Sequence, residues 1–358
     1  MARPSEKAMG KDAGVKSPQS YLYGTSRTFC PEGAADGLCS RPQQNMPFEI
    51  DSKASHIAFR TALLAALAAI AGTGYMLFEA QWLRLVLRQL EIPGLPAELE
   101  GLSMLHASDL HAGAPGLNSR VIGKFVESAR SLSPDVVFLT GDLTDKKKDL
   151  SPFIESLVSL EARYGKFACL GNHDHGLRKT VIEDLARRLT GRSPIRKSLK
   201  EKKTATVSSM RKLLAQAGVR VLENECATVR IGGHKIQFCG IDDFNYGYAD
   251  LVSVASQLES GAGLRILLSH SPDVIGEIEP GNFQLVLAGH THGGQICMPN
   301  PHSGKIMLST SGSRYGEGQF QVDGTVMHVS RGVGTTLVPF RLLSRPEITM
   351  IKLKRKTA

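Results

Sequence analysis

The chain has 358 residues, 42% hydrophobic and 22% charged, an ordinary globular balance with room for one large domain or a domain plus appendages. Its net charge of +9 is local: residues 178–212 hold twelve Lys/Arg against three acids, an excess equal to that of the whole chain. Attraction for anions is therefore a property of one segment and not of the fold. Six cysteines (Cys30, Cys39, Cys169, Cys226, Cys239, Cys297) without a Cys-x-x-Cys pair argue against a disulfide framework at this length. Cys169 lies in an apolar run and reads as a small core hydrophobe, and a Cys30–Cys39 bridge is disfavoured.

Residues 1–56 are rich in Pro, Gly, Ser and charge, lack apolar periodicity, and are expected to be disordered. Residues 61–78 follow without a charge, bounded by Arg60 and Glu79, and just reach the length of a membrane-spanning helix. An N-terminal membrane segment over 57–79 is the favoured reading. A cleaved signal ending at Ala69-Ile70-Ala71 and a packed core helix compete with it. Lys53 and Arg60 upstream tie with Arg84 and Arg88 downstream, so orientation is not readable. Leu83, Leu85 and Leu87 alternate with arginine, which predicts a strand within a linker over 80–100. An interfacial amphipathic helix is the competitor, because Arg84 and Arg88 also share a helical face. Pro93, Gly94 and Pro96 then break the chain before the main domain, expected over 101–353 with a tail at 354–358.

Within that domain strand and helix alternate. Residues 102–107 are apolar with β length, and Val121, Ile122, Phe125, Val126 and Ala129 recur at helical spacing. Residues 135–140 read as a buried strand, Ser151-Pro152 opens a helix, and 166–170 is another strand. Residues 265–269 and 283–288 repeat the strand signal, and 305–354 is β-rich. The order predicts an α/β domain with its site at the carboxyl ends of strands.

Five of the apolar runs lead to metal-binding residue types: Asp109-Leu110-His111, Gly141-Asp142, Gly171-Asn172-His173-Asp174, Ser269-His270 and Gly289-His290-Thr291-His292. Carboxylate oxygens and neutral imidazoles are the donors that hard and borderline divalent cations take. Any one of these residues alone favours a bland surface or core role. Their joint recurrence at strand exits points to metal chemistry.

These motifs resemble the calcineurin-like metallophosphoesterase superfamily, whose pattern is Asp-x-His, Gly-Asp-x-x-Asp, Gly-Asn-His-Asp/Glu, a lone His, and Gly-His-x-His. The resemblance implies a four-layer α/β/β/α sandwich with a dinuclear centre at one sheet edge. It implies that Asp109, His111 and His292 hold one divalent ion, that Asn172, His270 and His290 hold the other, and that Asp142 bridges them. His173 would contact the phosphate and protonate the leaving oxygen, with Asp174 orienting its ring. Asp145 is either a support for these groups or a solvated turn residue. His175 is a candidate substrate contact, and His106 and His302 are not expected to bind metal. The donors suit Mn²⁺, Fe²⁺ or Zn²⁺ without distinguishing them.

Asp145 stands where purple acid phosphatases carry Tyr, and Lys146, Leu170 and Asp174 depart from the Ser/Thr protein phosphatase motifs. Ser269-His270-Ser271-Pro272-Asp273, the run from Gly289 to Gln295, and Ser330-Arg331-Gly332 before Pro346-Glu347-Ile348 resemble the YaeI/YkuE-like bacterial branch. That branch includes LpxG-type UDP-2,3-diacylglucosamine pyrophosphatases and often carries an N-terminal membrane segment. The resemblance implies a membrane-associated phosphodiesterase or pyrophosphatase acting on a phospholipid or nucleotide-linked lipid, held at the inner (cytoplasmic) membrane. The basic insertion 178–212 is read either as a solvated loop or as a contact with a membrane surface. Nucleic acid is a third partner for it, and a metal-dependent nuclease or general phosphodiesterase is the alternative function. The scarcity of aromatics in that segment argues against base stacking.

Overall fold

The computed structural model describes residues 52–114, 117–145, 150–176, 200–302, 304–308 and 312–356. Residues 178–199 of the basic insertion, Cys30 and Cys39, and residues 1–51 of the N-terminal region lie outside the described residues. Residues 52–56, expected to be disordered, instead open the helix α1 (Ser52–Glu79). A helix nucleated by an apolar run propagates into its neighbours at little further cost, which extends it beyond the uncharged stretch. No residue in the apolar stretch of α1 is buried, so it is not a core helix of this chain, and it is long and apolar enough to cross a membrane.

The chain then runs through β1 (Arg84–Ile92), β2 (Ser103–Ala107), α2 (Asn118–Arg130), β3 (Val136–Thr140), α3 (Ser151–Val158), β4 (Lys166–Cys169), α4 (Lys200–Gln216) and β5 (Val219–Val221). It continues through β6 (Glu225–Ile231), β7 (His234–Gly240), α5 (Leu251–Ser256), β8 (Leu264–Leu268), β9 (Leu285–Ala288), β10 (Cys297–Asn300), β11 (Gly304–Met307), β12 (Gly318–Val322), β13 (Thr325–Val329) and β14 (Glu347–Arg355). Two six-stranded sheets form, in the orders β1-β14-β2-β3-β4-β5 and β12-β13-β9-β8-β7-β6, with β10 and β11 apart as a hairpin. The alternation after residue 82 is a strand, paired in parallel with β14 from Arg84↔Glu347 to Ile92↔Arg355. The first sheet thus begins before residue 101 and ends at Arg355.

Both sheets are covered on both faces, which is why their strands read as near-continuous apolar runs. Along β3, Val137 and Leu139 face a core with Phe125 of α2, Ile154 and Leu157 of α3, and Leu214 of α4. The alternate residues Val136 and Phe138 face the second sheet, where Phe138, Phe167 and Phe238 meet with centroids 4.8–6.2 Å apart. Outside the second sheet, Leu267, Val286 and Met327 pack under Val254 of α5 and under Val274 and Ile275 of a short turn. These are the four α/β/β/α layers. Each fully buried large apolar side chain contributes about 1.5–3 kcal/mol, enough in sum to hold the strand ends rigid.

Cysteine count misses one local bridge. Cys226 on β6 and Cys239 on β7 are directly opposed and disulfide-bonded. Cys169 and Cys297 are free and buried. A single cross-strand pair needs only register, which composition does not reveal.

Candidate metal centre

β2, β3 and β4 run parallel, as do β8 and β9, so the five motif-bearing exits converge on one edge of the sandwich. The exits are laced together: Asp109 N–H donates to Gly141 O (3.0 Å), His111 N–H to Asp142 O (2.9 Å), and Gly289 N–H to His270 O (3.0 Å). Asp109, His111, Asp142, His290 and His292 all adopt positive φ, between 47° and 73°. Non-glycine residues held there cost on the order of 1–3 kcal/mol each, a strain that gathers at functional sites. It turns these side chains inward at the ends of the strands.

Two groups of donor atoms result, each within 4.8 Å, Asp109, His111 and His292 and Asp142, His270 and His290; a third, His111, Asp142 and His173, overlaps both. In the first, His292 Nε2 lies 3.4 Å from Asp109 Oδ1 and 3.2 Å from His111 Nε2. In the second, His270 Nε2 lies 3.2 Å from Asp142 Oδ2 and 3.0 Å from His290 Nδ1. Asp142 Oδ2 is also 3.7 Å from His111 Nε2, so one carboxylate oxygen faces both groups. Asn172 is buried in the turn after β4.

The donor set fits divalent metal. Asp109 Oδ1 is buried without a hydrogen-bond partner, and ring nitrogens face one another at hydrogen-bond distance. Burial, with the neighbouring His173, pushes His111 down to about 3, and burial with Arg341 holds His292 well below the usual histidine range. Both rings are therefore neutral, as ligands must be. Burial opposes charge on His270 as well, yet Asp142 and Asp109 push it up to about 10. Burial opposes charge on Asp142 too, yet His270 and His173 hold its carboxyl well below its ordinary range. His270 Nδ1 faces Thr140 O at 3.0 Å, which leaves Nε2 toward the centre.

His173 borders both groups, with Nε2 3.9 Å from Asp142 Oδ2 and a side chain that keeps 12% exposure. Its Nδ1 is paired with Asp145 Oδ1 at 2.8 Å. Against burial, Asp142 and Asp145 raise its pKa. The expected orienting group, Asp174, is turned inward instead: its carboxylate accepts from the backbone amides of Gly171 (3.0 Å), Leu143 (3.2 Å) and Thr144 (2.9 Å). Three amides on one carboxylate clamp the β3 and β4 exits together, while burial and Asp142 push Asp174 up to about 6. His175, expected near substrate, has a fully buried side chain hydrogen-bonded to Asp242. It stands behind the turn, against Tyr248. His106 is likewise interior, paired with His328 and Thr140.

Two supports carry no sequence signal. Arg341 is fully buried and donates to the carbonyls of His292, Ser344, Arg331, Gly332 and Gly334, fixing the turn that presents His292. Asn245 places its side-chain amide 3.0 Å from His290 Nε2. Asp145 had a signal in the Gly-Asp-x-x-Asp spacing.

The model of the calcineurin-like phosphoesterases matches residues 102–294. The chain belongs to this family. It is similar to the metallophosphoesterase YkuE of Bacillus subtilis, 29% identical over 298 residues that span 81% of this chain and 93% of YkuE. Phosphodiesterase YaeI of Escherichia coli is 29% identical over 82% of this chain and 97% of its own length. The UDP-2,3-diacylglucosamine pyrophosphatase LpxG of Chlamydia trachomatis is 27% identical over 76% of this chain and 90% of its own. With these relatives and the donor groups above, the chain is a metal-dependent phosphoesterase.

Gly171 has no room for a side chain: a Cβ there would lie 2.3 Å from Asp142 Oδ1 and 2.6 Å from its backbone nitrogen. Gly171→Ala is expected to displace Asp142 and lose most bound metal, measured by elemental analysis after gel filtration, with far-UV circular dichroism unchanged. Full metal content in this variant would contradict the role of that close approach.

Proposed function

We propose that this phosphoesterase uses two divalent ions to hydrolyse a phosphodiester or pyrophosphate in a phospholipid or nucleotide-linked lipid, while anchored in the inner (cytoplasmic) membrane by α1. The observation that carries the dinuclear reading is the position of Asp142, whose Oδ2 faces both donor groups. Asp109, His111 and His292 would hold one ion, and Asn172, His270 and His290 the other, with Asp142 shared. Mn²⁺, Fe²⁺ and Zn²⁺ all accept this oxygen and imidazole set. When bound, such a pair supplies Lewis-acid stabilisation and activates the attacking water for in-line displacement at phosphorus.

The chain's own residues do the rest. His173, with Asp145 on Nδ1, keeps Nε2 toward the centre and would give its proton to the leaving oxygen. Its partial exposure suits a group that meets substrate, whereas the proposed ligands around it other than His290 are buried. Asp174 would hold the two loops in register through the three amides on its carboxylate. The lipid reading draws on α1 and on the likeness to LpxG, whose name records a lipid-linked nucleotide as substrate.

The test is hydrolysis by the full chain with Mn²⁺ of UDP-2,3-diacylglucosamine, bis-p-nitrophenyl phosphate and single-stranded DNA. Cleavage of the first two is expected; cleavage of DNA alone would replace this reading with a nuclease. On bis-p-nitrophenyl phosphate, His173→Ala should lower kcat by about 10²–10⁴-fold, the usual worth of a general acid, with metal content unchanged. Wild-type turnover would remove His173 from the reaction. Asp145→Asn should lower kcat less, by roughly 10-fold or more at unchanged metal content, because the amide can still accept from Nδ1 but no longer favours the charged ring. An Asp145→Asn enzyme as active as wild type would reduce that pair to a structural contact.

A further inference from the structure

Outside α1, exposed apolar side chains gather on the two segments that brace the His292 turn. Met298, Ile306 and Leu308 lie on or beside the β10–β11 hairpin, and Leu337 and Leu343 lie on the loop 334–345. Met298 and Ile306 are directly opposed across the hairpin and are 55% and 49% exposed, so its outward face is apolar. Its other face is inward: Cys297 is buried, and Met307 lies so close to Gly294 that a Cβ there would be 2.6 Å away. Small soluble sheets do the reverse and turn polar residues outward.

Hairpin, loop, metal-site turn and the end of α1 form one hydrogen-bonded unit. Leu342 N–H donates to Gln295 O (3.0 Å), Cys297 N–H to Leu342 O (2.9 Å), and Lys305 Nζ to Leu343 O (3.1 Å). Arg341 N–H donates to Met76 O (3.2 Å) and Ser344 N–H to Glu79 Oε1 (2.8 Å), both at the last turns of α1. Where helix and loop meet, the Arg345 guanidinium stacks 3.7 Å from the Trp82 ring. Trp with Arg is the pairing of a membrane–water boundary.

We propose that this rim is a second membrane contact: Met298, Ile306, Leu308, Leu337 and Leu343 enter the bilayer interface beside the point where α1 leaves it. A lipid surface is the occupant because the loop that carries Leu337 and Leu343 is hydrogen-bonded to the last turns of the apolar helix α1, and Trp82 and Arg345 stack where the two meet. The metal centre is thereby held at the bilayer, where a phosphate in a lipid headgroup reaches it without the lipid leaving the membrane. The inference rests on the membrane reading of α1 given above.

Trp82 is the chain's one tryptophan and is itself a probe. The full chain is placed in phosphatidylethanolamine/phosphatidylglycerol nanodiscs with lipids brominated near the headgroup end of the acyl chains. Trp82 is read in the native sequence. In a Trp82→Phe background, Ile306→Trp and Leu337→Trp report the rim, and Val252→Trp on α5, 82% exposed, is the control. Roughly twofold quenching is expected at 306 and 337, as for indoles about 5–10 Å into the interface, with none at 252. Quenching of Trp82 without quenching at 306 and 337 would overturn the rim and leave the α1 anchor standing. Loss of quenching at all three would overturn both. Two chains per disc with 306 and 337 unquenched would make the face a contact between copies, again overturning the proposal. Hydrolysis of bis-p-nitrophenyl phosphate by the same samples reports the catalytic reading independently.

Discussion

The structure is organised around one buried carboxylate. Asp142 is 2% exposed and sits within 3.2–3.9 Å of the ring nitrogens of His270, His111 and His173. An ionised carboxylate taken from water costs several kcal/mol unless opposite charge meets it. The imidazoles of His270, His111 and His173 face it, and divalent ions would supply that charge from both sides. Every other device at the site keeps these lone pairs converging.

Those devices are costly in isolation and stable only together. Five non-glycine residues in the left-handed region would relax without the sheets behind them. The Asp174 carboxylate and the Arg341 guanidinium, one accepting amides and the other donating to carbonyls, take up backbone groups that turns leave over at strand ends. Removing either would strand buried polar atoms, a larger loss than the bonds themselves. Gly171 and Gly289 serve by absence: a Cβ at Gly289 would fall 1.8 Å from Ser108 Oγ. The Ser330-Arg331-Gly332 segment and Glu347 are joined the same way, with Arg331 N–H on Glu347 Oε1 and Glu347 N–H on Gly332 O.

The strands of the site were readable because sheets covered on both faces leave unbroken apolar runs. Their exits were readable because metal donors are chemically distinctive. Partnerships within the exits were not. Asp174 follows His173 in sequence, but adjacent residues in a tight turn point apart, and the residue that reaches the ring comes from the β3 exit instead. Arg341 looks like any surface arginine until the loop folds over it. The pairing of β1 with β14 joins residues more than 250 apart and leaves no local trace, so the strand expected within 80–100 could not be given its partner in the sheet. Cys226 and Cys239 likewise became partners only through register.

The geometry links chemistry to location through a single turn, since His292 is braced by the loop that also grips the end of α1. In the proposed centre Asp142 would serve two metal ions at once. Electron paramagnetic resonance of the full chain loaded with Mn²⁺ tests this most directly. Two Mn²⁺ per chain with an exchange-coupled spectrum are expected, with loss of the coupling in Asp142→Asn. A single uncoupled Mn²⁺ in the native chain, at saturating metal and full activity, would contradict it.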